Sequence, residues 1–488
     1  MTGLAVRVGD GRELLLAPRP AARRGRGHWS TPVRVRTRAA AVVLLACCLT
    51  ALTAVLFSQL YGAFQAIGQQ DAPEAGATTG LYFALNDMDA QVANVLLAGG
   101  DTALSASKSR DLAAYAGDRA TADADLQQAT VSESGNPGAE RDLRLVLDQI
   151  GQYEALAADA LLASQQAHSA AGRAPAAAVA YYQQATSLMQ AGILPVVGSL
   201  ATVSAAKLDA AYQGGRTASG AGIAWVAGAG LVLAAALVGL QIHLAARFRR
   251  LVNPALAAAT ALTIAFAAVT AIRLSAESGQ LYLAKQDAFN SIQALSLARA
   301  VSYDANADES RYLADPARGA QYQRAFLAKS QQIADVGPVG IDGYDAALAA
   351  DIEAYQRDNS VVRFGGYLGA EFRNITFPGE RRAAVAALLA FQRYERDDRT
   401  MRALAARNLA AAVAYDTGTA PGQSDWAFNQ YDAALSSVIA LNSAAFTAAV
   451  HDGGDGVAGW ELGFPALGVV LIAALTLAGV RPRLAEYG

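Results

Sequence analysis

Residues Gly222 to Ile272 read GIAWVAGAGLVLAAALVGLQIHLAARFRRLVNPALAAATALTIAFAAVTAI and establish the architecture of the chain. Two apolar segments, Gly222 to His243 and Pro254 to Ile272, are separated by a short basic connection. At a rise of about 1.5 Å per residue, each segment is long enough to cross a hydrocarbon layer of about 30 Å. The sequence therefore predicts two antiparallel transmembrane helices joined by a tight turn.

The connection contains three arginines, Arg247, Arg249 and Arg250. Short loops rich in arginine and lysine remain on the cytoplasmic side of a membrane. We therefore expect this turn to lie in the cytoplasm, where the three arginines are candidate contacts for a cytoplasmic partner. Asn253 followed by Pro254 predicts a helix N-cap with proline at the first helical position.

Two further apolar segments, Ala39 to Phe57 and Leu462 to Val480, predict two more crossings. The terminal residues are mostly basic, which favours both termini inside. The segments between the crossings are richer in acidic residues and predict two outward-facing domains. The expected order is a cytoplasmic basic disordered tail 1–38, transmembrane helix 39–60, extracytoplasmic bundle 61–221, transmembrane helix 222–245, cytoplasmic turn 246–253, transmembrane helix 254–272, extracytoplasmic bundle 273–460, transmembrane helix 461–480 and cytoplasmic tail 481–488.

Composition favours an all-α fold. Of 488 residues, 53% are hydrophobic and only 7% aromatic, and no sustained alternation of period two occurs. Apolar residues at steps of three and four, such as Leu81, Leu85, Met88, Val92 and Val95, predict amphipathic helices. We therefore predict an all-α integral membrane protein with four transmembrane helices and two extracytoplasmic antiparallel helical bundles.

Glycine and proline predict where these helices end. In the first bundle we expect a break at Asp71 to Gly76 and four helices after it. In the second bundle we expect a helix from Gln321 to Asn359 kinked at Gly337 to Gly340, a long irregular loop from Arg363 to Gly379, and a helix from Glu380 to Asp416.

Both cysteines, Cys47 and Cys48, lie in the first apolar segment, so neither outer domain can hold a disulfide. Leu44 to Cys47 resembles a lipoprotein cleavage site. However, the apolar run continues through Leu49 to Leu52, which favours an uncleaved signal-anchor helix.

The densest polar stretch is Arg299 to Tyr312. On a helix, one set of side chains shares one face and a second set shares another: Arg299, Tyr303 and Asn306, and Asp304, Asp308 and Arg311. One interpretation is a recognition face, on which arginines bind carboxylates of a ligand or partner. The alternative, which the commonness of such pairs favours, is ion pairing within the helix or between helices.

The loop from Arg363 to Gly379 is the second candidate for recognition, because loops often carry function. Its aromatic and amide side chains include Phe372, Asn374 and Phe377. The alternative is a lid that covers the end of the bundle.

Nothing in the sequence indicates catalysis. The four histidines have no metal-ligand spacing, and no phosphate-binding loop, nucleophile elbow or nucleic-acid motif occurs. We therefore expect no enzyme activity, no cofactor, no metal and no nucleic-acid partner.

Three stretches carry a family resemblance: Tyr303 to Leu313, Ile375 to Glu380, and Arg481 to Tyr487. They resemble the GlnX family of four-pass actinobacterial membrane proteins. The alternation of crossing, helical bundle and crossing resembles the sensor modules of chemoreceptors and sensor kinases, here in tandem. The resemblance implies a sensor that works with an extracytoplasmic amino-acid-binding lipoprotein and a cytoplasmic serine/threonine kinase.

The sequence thus predicts a cell-membrane signal transducer that responds to extracellular amino-acid status, and a homodimer is an assembly this architecture allows. A competing hypothesis is a structural or scaffolding protein of the cell envelope. A transporter is the third, and the lack of charged residues inside the apolar segments disfavours it.

Overall fold

A computed structural model describes residues 31–248 and 253–484, and all regular secondary structure in these ranges is helical, as predicted. The α-helices are α1 (Thr31–Gln65), α2 (Ala72–Ala98), α3 (Ser105–Ser132), α4 (Pro137–Ala167), α5 (Ala176–Leu188), α6 (Leu194–Phe248), α7 (Pro254–Tyr282), α8 (Asn290–Ala314), α9 (Gly319–Ile333), α10 (Ile341–Arg357), α11 (Gly366–Asn374), α12 (Glu380–Ala405), α13 (Leu409–Asp416), α14 (Ser424–Val457) and α15 (Gly463–Leu484). Three π-helical turns, π1 (Ala66–Asp71), π2 (Met189–Ile193) and π3 (Leu283–Phe289), join consecutive helices.

The π turns make three long helices continuous. π1 joins α1 to α2, π2 joins α5 to α6, and π3 joins α7 to α8. The expected break at Asp71 to Gly76 is therefore wrong. Pro73 lacks an N–H group, but it lies in the first turn after π1, where the altered hydrogen-bond register accommodates it without ending the helix.

The first bundle follows the prediction after α2. Its helices α2 to α5 end and begin close to the expected residues. Gly99 ends α2 with a φ of 59°, a conformation that glycine adopts without strain. Asn136 caps α4 by accepting a hydrogen bond from the Ala139 N–H group.

The second bundle contains more helices than predicted. The expected kink at Gly337 to Gly340 is a complete break between α9 and α10, because Gly337 has a φ of 84° and Pro338 cannot donate a hydrogen bond. The expected loop contains α11. The expected long third helix divides into α12 and α13, because Asn408 caps a new helix through the Ala411 N–H group.

In the described part of the chain, five helices are long and apolar enough to cross a membrane, one more than the four expected. The additional candidate is α14, which packs against α12, α8 and π3. The N-cap expected at Asn253 is confirmed: its Oδ1 accepts from the Ala255 and Leu256 N–H groups at 3.2 and 3.4 Å. Its Nδ2 also donates to the Gly479 carbonyl at 2.7 Å and so connects α7 to α15.

The two bundles pack directly against each other. Helix α2 of the first bundle lies along α8 of the second. Ala307 of α8 is fully buried in the apolar core of the first bundle. We call this contact between α2 and α8 the seam, and the polar residues described next lie on it.

Candidate functional site

Five charged side chains meet at the seam, and we call them the seam cluster: Asp89 of α2, Asp304, Asp308 and Arg311 of α8, and Lys329 of α9. Arg311 is 4% exposed and lies at the centre. Its Nη2 donates to Asp89 at 2.6 Å. Its Nη1 donates to Asp304 at 3.1 Å and to Asp308 at 2.6 Å. One guanidinium group therefore connects the two bundles.

Neutral groups complete the hydrogen bonding of the cluster. Tyr182 accepts a hydrogen bond from Arg311 Nε at 2.9 Å. Tyr153 and Thr186 donate to the Asp89 carboxylate at 3.1 and 2.6 Å. A buried charge left without partners costs several kcal/mol, so this full set of contacts explains how the cluster persists in the interior.

Lys329 supplies the second positive charge. Its Nζ lies 2.7 Å from Asp304 Oδ2 and 2.5 Å from Asp308 Oδ2. Burial by itself raises the pKa of Asp304, but Lys329 and Arg311 outweigh burial and hold it below its ordinary value. Burial raises the pKa of Asp89 despite the opposing effect of Arg311. The pKa is therefore lowered for Asp304, on the α8 side of the seam, and raised for Asp89, on the α2 side.

Arg299 lies in a more accessible part of the seam. Its Nε and Nη2 donate to Asp432 of α14 at 2.5 and 3.0 Å, and its guanidinium lies 4.2 Å from the Phe83 ring centroid. Tyr303 packs edge-on between Phe83 and Phe428, with ring centroids 5.0 and 4.8 Å away. Arg299 thus connects α2, α8 and α14.

Arg299 also lines a cavity of about 190 Å³ between the same three helices. Gln293 and Ser296 contribute polar side chains, and small residues of α2 together with Phe83 and Phe289 complete most of the lining. The volume would hold roughly six waters at about 30 Å³ each, so the space suits a small metabolite rather than a large ligand.

Asn306 belongs to a different buried region. Its Nδ2 donates to Glu309 Oε2 at 3.2 Å, and Tyr394 donates to the same oxygen at 2.6 Å. Glu309 lies with three other buried carboxyl groups in what we call the acid cluster: Glu309, Glu395, Asp398 and Asp416. Burial raises the pKa of Glu309 well above its ordinary value, and Asp398 and Asp416 raise it further.

Two candidates from the expected loop, Phe372 and Asn374, contact the bundle through their side chains, and Phe377 contacts it through its backbone. Phe372 is 5% exposed and packs edge-on against Tyr355 and Phe364. Asn374 Nδ2 donates to backbone carbonyls of π3. The Phe377 N–H group donates to Glu380 Oε2 at 2.8 Å. These residues hold the loop against the bundle, which matches the lid alternative more closely than an open docking surface.

The candidate cytoplasmic contacts lie at the end of α6 and between α6 and α7 in the sequence. Arg249 and Arg250 lie outside the described residues, and Arg247 is described only as part of the α6 backbone. Within residues 31–248 and 253–484, no group of three or more histidine, cysteine, aspartate or glutamate side chains is arranged to hold a metal ion. Cys47 and Cys48 are free and exposed.

Sequence reasoning missed two of the five members of the seam cluster, Asp89 and Lys329. Asp89 stands beside the apolar stripe of α2, and Lys329 lies on a helix identified only in outline. A charged residue beside an otherwise apolar stripe was the available signal. The partner of Asp89, however, lies 222 residues away in the sequence, and no local pattern could identify it.

The comparisons match the first bundle to a sensor family. Residues 63–213 match the model of the actinobacterial sensor domain, a range that extends from the end of α1 into α6. No curated protein and no solved structure matches the chain. The family match supports an actinobacterial sensor protein with a sensing or signalling role.

Proposed function

We propose that this protein is a transmembrane sensor that relays extracellular amino-acid status, through a solute-binding lipoprotein, to a cytoplasmic serine/threonine kinase. In this proposal four helical segments cross the membrane: 39–60, 222–245, 254–272 and 461–480. Both bundles lie outside and both termini inside. Helix α14 does not cross, because it packs along α12 and α8 of the second bundle and its Asp432 pairs with Arg299 of α8.

One observation carries the proposal, namely the continuity of the helices. The apolar parts of α1, α6 and α7 run through π1, π2 and π3 into the bundles without interruption. A rigid helix transmits a small rotation or shift along its length, and seams between helices have discrete alternative packings. Rearrangement at the seam would therefore reach the membrane segments directly.

The cavity beside Arg299 is the candidate input site. The seam cluster around Arg311 is closed and fully paired, whereas Arg299 is half-buried and faces open space. An α-amino acid carries both charges needed to enter the ion pair: its carboxylate would bind Arg299 and its ammonium group Asp432. A ligand can shift the equilibrium only if it binds one packing of the seam better than the other.

A pull-down from native membranes tests the proposal, with and without added glutamate or aspartate. We expect recovery of a solute-binding lipoprotein and a protein kinase, and a change in their amounts when the amino acid is added. Arg299→Gln should abolish the amino-acid response, whereas Arg324→Gln, at an exposed position on α9, should leave it intact. Recovery of envelope proteins alone, unchanged by amino acid, would favour the scaffold.

The cytoplasmic side can be tested separately. If Arg247, Arg249 and Arg250 contact the kinase, then replacing all three with glutamine should remove the kinase from the pull-down and leave the lipoprotein. Loss of both partners would instead indicate that the substitutions disturb membrane insertion, because these arginines also set orientation.

A further inference from the structure

Asn374 fastens the segment between α11 and α12 to π3. Its Nδ2 lies 2.9 Å from the Gln286 carbonyl, 2.8 Å from the Asp287 carbonyl and 2.9 Å from Ser291 Oγ. Both carbonyls belong to the π turn. A π turn disturbs the regular backbone hydrogen bonding of a helix. A side-chain amide that donates hydrogen bonds to the carbonyl groups of the turn therefore stabilises that conformation. We call this contact the clip.

Two buried carboxyl groups lie in the two helices that flank the clip segment. Glu371 of α11 is 1% exposed and Glu380 of α12 is fully buried. Glu380 Oε2 closes the loop by accepting from the Thr376 and Phe377 N–H groups at 2.7 and 2.8 Å. Within the described residues, Glu380 Oε1 and both Glu371 oxygens have no hydrogen-bond partner of normal geometry.

No cation neutralises this pair in the described part of the chain. π3 contributes a third carboxyl group, Asp287, whose pKa is raised by burial and by Glu380. From α14, Leu441 lies nearest Gly379 and is apolar. Four cations on the neighbouring elements are engaged elsewhere: Arg373 with the Phe364 carbonyl, Arg381 with the Tyr355 hydroxyl, Lys285 with Asp209, and Lys329 with the seam cluster. Arg382 of α12 is exposed and forms no ion pair with either buried carboxyl group.

Two adjacent buried carboxyl groups without a cation cannot both be ionised at modest cost. Glu380 already accepts two backbone N–H groups, which favour its charged form, so Glu371 is the group that keeps the proton. We propose that Glu371 and Glu380 form a proton-binding site, and that the bound proton holds the clip on π3.

The electrostatics agree with this geometry. Burial raises the pKa of Glu371 to about 7; the Ser291 hydroxyl opposes this rise, and the charge of Glu380 adds to it. An acid whose folded pKa exceeds its unfolded value contributes stability that is complete in acid and lost as the pH rises. For Glu371 that loss extends from its ordinary value of 4.5 up to about 7. Neutral to alkaline conditions therefore weaken the clip.

Release of the proton has a defined structural consequence. Two carboxylates then repel each other across the base of the loop, and Asn374 withdraws from the π3 carbonyls. Without the clip, π3 can return to α-helical pairing, which shifts the register between α7 and α8 by a residue. Proton binding is a property of the folded chain alone, and only its effect across the membrane rests on the proposed function.

Hydrogen exchange of the full-length protein tests the site, read on peptides that cover Leu283–Phe289. The two conditions lie near pH 5.5 and pH 8.5, about 1.5 units either side of the Glu371 pKa of about 7. Wild type and Glu371→Gln should exchange alike in acid. At the alkaline pH, wild type should exchange roughly tenfold faster than Glu371→Gln, since about one pKa unit of linkage is a factor of ten.

Two matched variants complete the design. Glu353→Gln removes an exposed carboxyl group of α10 and should behave as wild type at both pH values. Asn374→Ala removes the clip and should accelerate exchange of π3 at both. Equal exchange of wild type and Glu371→Gln at the alkaline pH, or an Asn374→Ala variant without effect, would overturn the proposal. If Glu371→Gln does not fold, infrared titration of wild type and Glu371→Asp decides, because the substitution keeps a carboxyl group but moves its band: a protonated carboxyl band that is lost between the two pH values and shifted in Glu371→Asp supports the site, and the lack of such a band overturns it.

Discussion

The seam cluster and the acid cluster lie on two faces of α8. Carboxylates of the seam cluster pair with cations, whereas Glu309 of the acid cluster is repelled by other carboxyl groups. Asp308 and Glu309 are neighbours in the sequence, and both are almost completely buried. Asp308 lies between Arg311 and Lys329. Glu309 lies among other carboxyl groups. The comparison teaches that the partners on neighbouring helices, rather than burial itself, decide what a buried carboxyl group does.

The consequences for stability against pH have opposite signs. Asp304 of the seam cluster has a lowered pKa, so it contributes stability above its ordinary value of 3.8 that is lost as the pH falls through the lower folded value. Asp398 of the acid cluster has its pKa raised by burial to about 6. Its contribution is complete below its ordinary value of 3.8 and is lost as the pH rises through about 6.

The largest expected effect comes from removing the centre of the seam cluster. Arg311→Met leaves three buried carboxyl groups short of a partner, and breaking a buried ion pair on one side costs about 3–5 kcal/mol. We expect a loss of that size in the free energy of unfolding, measured by chemical denaturation in detergent. Arg144→Met is the control, since Arg144 pairs with Glu140 at the surface and such a pair contributes about 1 kcal/mol or less. Equal losses for the two variants would contradict the role assigned to the seam.

A smaller effect of opposite sign should follow in the acid cluster. Glu309→Gln keeps an oxygen for the Tyr394 hydrogen bond but removes a charge repelled by Asp398 and Asp416. At pH values above the raised pKa of Glu309 we expect stabilisation of about 1–3 kcal/mol, the range for relieving an unsatisfied buried group. The gain should disappear in acid, where Glu309 is already protonated. Thermal melts at several pH values, with Glu353→Gln as control, measure it, and a gain that persists in acid would show that repulsion is not the cause.

The smallest effect is expected at an exposed pair of the first bundle. Arg119 Nε lies 2.5 Å from Glu154 Oε1, but the arginine side chain is 53% exposed. Water and salt screen such a pair, so Arg119→Gln should change the free energy of unfolding by no more than about 1 kcal/mol. Repeating the measurement in high salt should abolish the difference. A large effect that salt does not alter would mean that exposure is a poor guide to the strength of these pairs.

The sequence by itself determined the helical class, the apolar segments and most helix ends of the first bundle. These features are local: apolar periodicity selects the buried face, and a residue such as Asn253 or Gly99 ends or begins a helix through its own backbone and side chain. It also singled out Asp304, Asp308 and Arg311 as one face of a helix. These three residues share a face because of their spacing in the sequence, and that spacing is known without the structure.

Only the tertiary structure decided what that face meets. Asp89 of α2 and Tyr182 of α5 reach Arg311 because the first bundle packs against α8. Glu371 becomes a buried acid because α11 folds inside a stretch expected to be a loop. The continuity of α1 through π1 is likewise a tertiary result, since packing on both sides of Pro73 holds a helix where local preference predicts a break. The partners of a buried charged group and the continuity of a helix depend on residues that are distant in the sequence. Those residues come together only when the bundles pack.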